Sequence, residues 1–179
     1  MTAAAPTVLE TARLRLRRLD LGDAPFILRL VNEPSWLRYI GDRGVRDLDG
    51  ARDYIANGPL AMYARLGYGL WLVERKDDGL PLGQCGLLKR DRLEHPDIGF
   101  AFAPAYWGQG YAREAAAATL DYGHGALGME EIQAITSLDN AASIGLLSAL
   151  GFAYQRQIEL APGDPVKLFS HKNNAEEPT

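Results

Sequence analysis

One cysteine, Cys85, is all the chain contains. A lone thiol cannot close an internal disulfide, which excludes a disulfide-framed scaffold and points to a reducing cytoplasm. Histidine is nearly as scarce: His95, His124 and His171 are too scattered for a metal-ligand pattern, so no metal site is expected. No Ser/His/Asp cluster can be argued either. Nowhere do about 18 apolar residues run together, so no membrane span is expected. The opening "MTAAAPTVLETARL" lacks the basic n-region and apolar core of a signal peptide. Positive charge is not in excess. A net charge of −4 and a pI near 5.4 argue against a general binder of nucleic acid or anionic membrane. No repeat and no linker divide the chain. Its 179 residues suit one domain over 1–179 with a single core, folded over about 8–171 and flexible at both termini, the tail "HKNNAEEPT" included.

What is present is a regular alternation of element signals. "RLRLRRL" at Arg13–Leu19 alternates as a half-buried strand does, with Leu14 and Leu16 inward and the arginines on the outer face. From Asp23, Phe26, Ile27, Leu30 and Val31 recur at helical spacing, with Pro25 in the first turn and Asn32–Pro34 as the stop. Asp49 is positioned to cap a second helix, which "NGP" at 57–59 interrupts before a further helical piece to Arg65. "YGLWLVERK", a "DDG" turn and "PLGQCGLLKR" read as a β-hairpin. "DIGFAFAP" (97–104) is the next strand. Asp97, Gly99, Ala101 and Ala103 fall on one face, Ile98, Phe100 and Phe102 on the other. A helix follows, ended by Gly128; then come a strand at 130–138, a helix capped by Asp139 or Asn140, and a closing hairpin. The order predicts a mixed α/β (α+β) domain with helices on the faces of one sheet.

The junction "APAYWGQGYAREA" carries the chemistry. Glycines at 108 and 110 between a strand and a helix let a ligand approach the backbone and permit positive φ. The first helical N–H groups have no partner inside the helix, and the macrodipole adds positive potential. A phosphate or pyrophosphate is the natural guest, with Arg113 within reach. A plain tight turn is the alternative. Two known phosphate loops fail here: no Lys-Ser/Thr pair follows the glycines, and Arg113 stands at the third Gly of the dinucleotide pattern.

The combination "DIGFAFAPAYWGQGYAREA" with "DNAASIGLLSALGF" (139–152) resembles the GNAT superfamily of acyl-CoA-dependent N-acyltransferases. Within it, the chain is most similar to the branch named for the RimJ and RimL ribosomal-protein N-terminal acetyltransferases. "VNEPSWLRYIG" and "LGQCGL" match the same branch, and the resemblance spans roughly residues 8–171. It implies a mostly antiparallel mixed sheet with a splayed strand pair that holds the pantetheine arm of coenzyme A. The strand matched is Ala101, Phe102 and Ala103. The pyrophosphate would lie on amides from Trp107 through Gly108, Gln109, Gly110, Tyr111 and Ala112 to Arg113. Trp107 departs from the family's usual Gln or Arg.

Asn140 matches the pantetheine-facing Asn, with Ser143 one turn on; a simple N-cap and an ordinary helix Ser are the alternatives. Asp97 matches the carboxylate that some members use as general base, directly or through water. A surface Asp at a strand start is the alternative, with Glu94 and His95 as nearby substitutes. The family's Tyr acid is replaced by Leu147, leaving Ser143, Ser148, Tyr111 or solvent to protonate the thiolate. The amide of a residue near Phe102 or Gly86 would face the oxyanion. Trp36 and Tyr39 are either acceptor walls or core; Trp71 and Cys85 read as core.

The resemblance thus implies a cytoplasmic enzyme, a monomer or homodimer, that moves an acetyl group from acetyl-CoA directly to a primary amine. The acceptor could be a protein or peptide N-terminus or a small molecule. At pH 7 a Lys amine is only ~0.04% neutral and an α-amine ~10–20%. The gap, roughly 3 kcal/mol of barrier, favours the α-amine where the base is weak. A non-catalytic acyl-CoA-binding module on the same fold is the alternative reading, and a nucleotide-binding protein the next.

Overall fold

The computed structural model describes residues 5–173, so most of the tail expected to fray lies outside the described residues. Eight strands form one sheet in the order β1-β2-β3-β4-β5-β6-β8-β7. They are β1 (Thr7–Glu10), β2 (Leu14–Arg18), β3 (Leu70–Arg75), β4 (Pro81–Leu88), β5 (Asp97–Phe102), β6 (Glu131–Ser137), β7 (Ala153–Ala161) and β8 (Asp164–Lys172). Every neighbouring pair is antiparallel except β5 and β6. The helices are α1 (Ala24–Leu30), α2 (Pro34–Tyr39), α3 (Leu48–Ile55), α4 (Ala61–Leu66), α5 (Tyr111–His124) and α6 (Ala141–Ala149).

Two apolar clusters sandwich the sheet. On one face, Leu14, Leu16, Trp71, Cys85, Ile98 and Phe102 pack with Ala115, Ala116 and Leu120 of α5 and Leu147 of α6. On the other, Ile27, Leu30, Trp36, Ala51 and Ile55 pack on Leu72, with Ala101 and Ala103 against them. Alternation along β2 makes this possible. Leu14 and Leu16 are fully buried, while Arg17 between them and the next turn forks onto Asp23 (2.8 and 2.9 Å) and meets Glu74 at 3.2 Å. The two faces of β5 separate as the alternation predicts.

Several local expectations are corrected. The cap of α3 is Asp47, whose Oδ1 accepts from Gly50 N at 2.7 Å; Asp49 lies inside the first turn. The "NGP" segment does not break the helix but widens it into a π-helical turn that continues into α4. Helix α5 ends at His124 with Gly125 as its cap; the chain then turns at Gly128 (φ 64°) and closes the end with Leu127 N on Tyr122 O (3.1 Å) and Met129 N on Gly123 O (2.9 Å). Helix α1 does end before Asn32–Pro34, but Pro34 also opens the unexpected α2 at its first position, where its missing N–H costs nothing. The histidines are less scattered than their spacing suggests. Strand β8 beside β6 brings His171 under the end of α5, and His124 Nε2 lies 2.9 Å from His171 Nδ1.

Candidate active site

Strands β5 and β6 touch at a single register pair, Asp97 with Gln133, supported by Gln133 N donating to Pro96 O at 2.8 Å. Beyond that vertex they diverge, and β6 spends its other edge on seven register pairs with β8. The opening between them belongs to a cavity of about 1150 Å³. Its walls include Ile98–Phe102, Ala134–Ser137, the inner sides of α2 and α3, and the glycine turn at Trp107, Gly108 and Gly110–Arg113, but not Gln109.

The register of β4 and β5 decides which backbone groups face the opening. Ala103 N bonds Leu82 O (2.9 Å), and Ala101 and Gly99 lie opposite Gln84 and Gly86 in the same phase. Strand alternation therefore commits the backbone of Ala101 and Ala103 to β4 and turns that of Phe100 and Phe102 into the gap. Gly86 is paired inside the ladder, so of the two oxyanion candidates only Phe102 faces the opening. The Phe102 carbonyl already accepts the Trp107 indole N–H at 2.8 Å.

At the wide end, a short 3-10 turn at Pro104–Tyr106 leads into the glycine turn. Gly108 and Gly110 have φ of 75° and 81°, which β-carbon sterics make costly for other residues. Trp107 N bonds Pro104 O (3.2 Å), and the first amide of α5 to bond backwards is that of Glu114, to Gly110 O (3.1 Å). Tyr111, Ala112 and Arg113 precede it on the first turn, where N–H groups have no intrahelical acceptor. The Arg113 side chain is exposed and, among the described residues, has no ion-pair or hydrogen-bond partner. On the β6 side, Asn140 caps α6 by accepting from Ser143 N at 3.2 Å. Asn140 and Ser143 both line the cavity, and the Ser143 hydroxyl makes no hydrogen bond among the described residues.

At the narrow end sits Asp97, with no exposed surface. Its Oδ2 accepts from Arg90 Nε at 3.1 Å, while Oδ1 is buried without a partner. Burial pushes this carboxyl up to about 6, against the opposing pull of Arg90 and Lys89. Glu94 is exposed, and His95 Nε2 is taken by Glu131 at 3.1 Å; neither lines the cavity. Leu147 is 1% exposed in the apolar core, and Ser148 is on the surface away from the cavity. Tyr111 lies under the Arg13 guanidinium, 4.4 Å from its ring centroid. Cys85 is inert: burial pushes its thiol up to about 12, with Thr119 Oγ1 at 3.4 Å.

Trp36 was a candidate acceptor wall, but sequence reasoning missed the other polar groups of the cavity, Gln84, Thr136 and Ser137. Gln84, 1% exposed, has neither amide atom bonded, and Trp36 Nε1, Thr136 Oγ1 and Ser137 Oγ are likewise buried without partners. All four line the same cavity. The Tyr54 hydroxyl stands near Gln84 but in no hydrogen-bonding geometry. Gln84 had a legible signal, as the one polar side chain in the strand "PLGQCGLL". Buried polar groups without partners cost about 1–3 kcal/mol each unless water or a ligand satisfies them, so these four offer hydrogen bonds to whatever occupies the cavity.

A strand pair thus opens over a helix N-terminus, with a buried carboxylate at the vertex. The family model "Acetyltransferase (GNAT) domain" matches residues 13–153, and the chain belongs to that acetyltransferase family. It is 32% identical over 173 residues to the uncharacterized protein YkkB of Bacillus subtilis (strain 168), covering 94% of this chain and 98% of that one. It is also 32% identical over 146 residues to the uncharacterized N-acetyltransferase YoaA of the same organism, covering 81% and 82%. The ribosomal alpha-N-protein acetyltransferase RimL, solved in complex with coenzyme A, superposes with a TM-score of 0.81 over 96% of this chain and all of that one, at 18% identity. Among the described residues no helix is long and apolar enough to cross a membrane.

Proposed function

We propose that this N-acetyltransferase takes its acyl group from acetyl-CoA and passes it directly to a primary amine, a protein or peptide N-terminal α-amine being the favoured acceptor. The observation that carries the reading is the single cavity that joins unbonded amides at the start of α5 to a buried, half-partnered carboxylate at the β5–β6 vertex. The residues present fit coenzyme A. Gly108 through Arg113 offer N–H groups, helix potential and one unpaired cation for a diphosphate. Phe100 and Phe102 offer an open strand edge for a pantetheine amide, with Ala101 and Ala103 small enough to leave the acceptor face clear. Asn140, with its NH₂ group unbonded, and Ser143 close the opposite wall. The thioester supplies an acyl carbon activated toward nucleophiles.

The remaining chemistry falls to the chain itself. Asp97 Oδ1 takes the proton from the incoming ammonium group, directly or through one water, and Arg90 on Oδ2 keeps the carboxylate oriented. A carboxyl near 6 is ionised at pH 7 yet basic enough to accept a proton. A strand amide facing the gap, at Phe100 or Phe102, donates to the oxygen on which negative charge develops. Protonation of the departing thiolate falls to Ser143 or solvent. Gln84, Trp36 and Ser137 offer hydrogen bonds to the acceptor. A site with a modest base and no Tyr acid suits an amine of low pKa, hence the α-amine. One domain working in the cytoplasm completes the proposal.

Calorimetry with coenzyme A tests the first half; a thiol-release assay on an α-amine peptide and its internal-Lys isomer tests the second. Absence of coenzyme A binding by folded protein sinks the reading. Binding without thiol release for any amine identifies a non-catalytic acyl-CoA module, and faster Lys transfer overturns the acceptor assignment.

A further inference from the structure

Glu114 raises a question of sign. It lies in the first turn of α5, where a carboxylate weakens the positive potential that the free amides offer an anion. Yet it does not line the cavity. Both its oxygens are held by the turn between β1 and β2. Thr11 Oγ1 donates to Oε2 at 2.6 Å, the Arg13 backbone N–H to the same oxygen at 3.1 Å, and Arg13 Nε to Oε1 at 2.9 Å. The same guanidinium donates through Nη1 to the Gln109 carbonyl at 3.0 Å and covers the Tyr111 ring. Burial alone would raise the Glu114 carboxyl, but the bonds from Thr11 and Arg13 outweigh it and hold the group low and ionised.

Gln109 stands between two glycines in the left-handed region. Flanked by the two most permissive residues, its peptide groups would sample many orientations if nothing gripped them. Arg13 grips the one carbonyl in the middle of the turn, and Glu114 fixes Arg13.

We propose that Arg13 and Glu114 are positioning residues that hold the glycine turn in its diphosphate-binding shape without touching the ligand. Their opposite charges largely cancel, so the pair adds order to the turn and little field. Pre-ordering matters because any freedom the turn keeps must be lost when the ligand binds. Arg113 differs: it is unpaired, and its contribution is charge. The inference rests on the coenzyme A reading for its ligand, but its structural half stands on the free protein.

The test compares Arg13→Ala, Arg13→Lys, Glu114→Gln and Arg113→Met by calorimetry with coenzyme A across a salt series. Amide hydrogen exchange of the first turn of α5 is measured on each free protein, and Tm confirms folding. Arg13→Ala is expected to weaken coenzyme A by about tenfold and to speed exchange in the first turn. Arg13→Lys keeps the charge but loses the fork, and should not rescue. Arg113→Met should flatten the salt dependence and leave exchange unchanged. Glu114→Gln is the sign test: removing a negative charge should tighten an anion if charge governs, whereas positioning predicts weaker binding. Full rescue by Lys, tighter binding by Glu114→Gln, or unchanged exchange in Arg13→Ala would each overturn the proposal. If wild-type protein ignores coenzyme A, the ligand assignment falls, and the exchange arm still decides whether the pair orders the turn.

Discussion

The two ends of the cavity are built on opposite principles. The glycine-turn end is exposed, made of backbone, and contiguous in sequence: Gly108, Gln109 and Gly110 are on the surface and lead straight into α5. The vertex end and the buried wall that runs from it are made of side chains and assembled from distant segments. Asp97 of β5 sits at the vertex, Gln84 lies farther along β4 opposite Ala101, Ser137 lies beyond Gln133 on β6, and Trp36 joins the same cavity from α2. A backbone site reads a feature common to many ligands, and water on the free amides makes its apo state cheap. A buried side-chain site holds donors and acceptors that only water or a matching ligand can satisfy, so a mismatched ligand costs affinity there and the site confers selectivity. Binding and chemistry should therefore be separable by mutation.

Asp97→Asn should break that comparison most sharply. Turnover is expected to fall about 10²–10⁴-fold while calorimetry finds coenzyme A affinity unchanged. Equal loss of both would mean that the two ends are one. In the wild type kcat should rise with pH through about 6, as the carboxyl loses its proton, and the Asn variant should lack that limb. The stability sign is fixed as well. The folded state holds this proton more tightly than the unfolded chain, so the contribution is complete below the ordinary Asp value near 3.9 and is lost as pH rises through about 6. Unfolding free energies of Asp97→Asn should not show that decline.

Gln84→Met should sharpen the contrast from the stability side. Removing a buried, unbonded amide is worth about 1–3 kcal/mol, or about 2–4 °C in Tm per kcal/mol for a chain of this size. Thermal unfolding should therefore occur at higher temperature, while KM for the acceptor rises. A lower Tm would show that Gln84 is structural. At the other end, Gly110→Ala forces a β-carbon into the left-handed region at a cost of about 1–2 kcal/mol. Coenzyme A affinity should fall about tenfold with kcat at saturation little changed. The smallest effect belongs to Trp107→Phe, which removes the donor to Phe102 O. A net loss of about 0.5–1.5 kcal/mol is expected, read as a few-fold change in coenzyme A dissociation.

Much of this fold was legible because its elements are strongly patterned. The alternation of β2 and of β5, the β3–β4 hairpin, the small-residue stripe of α5 and the closing hairpin all appear where periodicity and turn chemistry place them. Strand β1 was not legible. Four residues on the edge of the sheet, none fully buried, carry too little alternation to stand out. Helix α2 was missed because Pro34 reads equally as a stop or as a first-turn residue. The meeting of His124 and His171, like the grip of Arg13 on Gln109, joins residues far apart in the chain, and spacing holds no trace of either.

The site divides along the same line. By itself the sequence determined the glycine turn, the strand before it and the helix after it, because φ freedom at Gly108 and Gly110 and unbonded N–H groups at a helix start are properties of a few consecutive residues. Only the tertiary structure decided that β5 and β6 part beyond one register pair, that Phe100 and Phe102 rather than their neighbours face the opening, and that Asp97 lies dry with one oxygen free. Burial is the work of distant segments closing over a residue, and a carboxyl becomes a useful base through the water it loses.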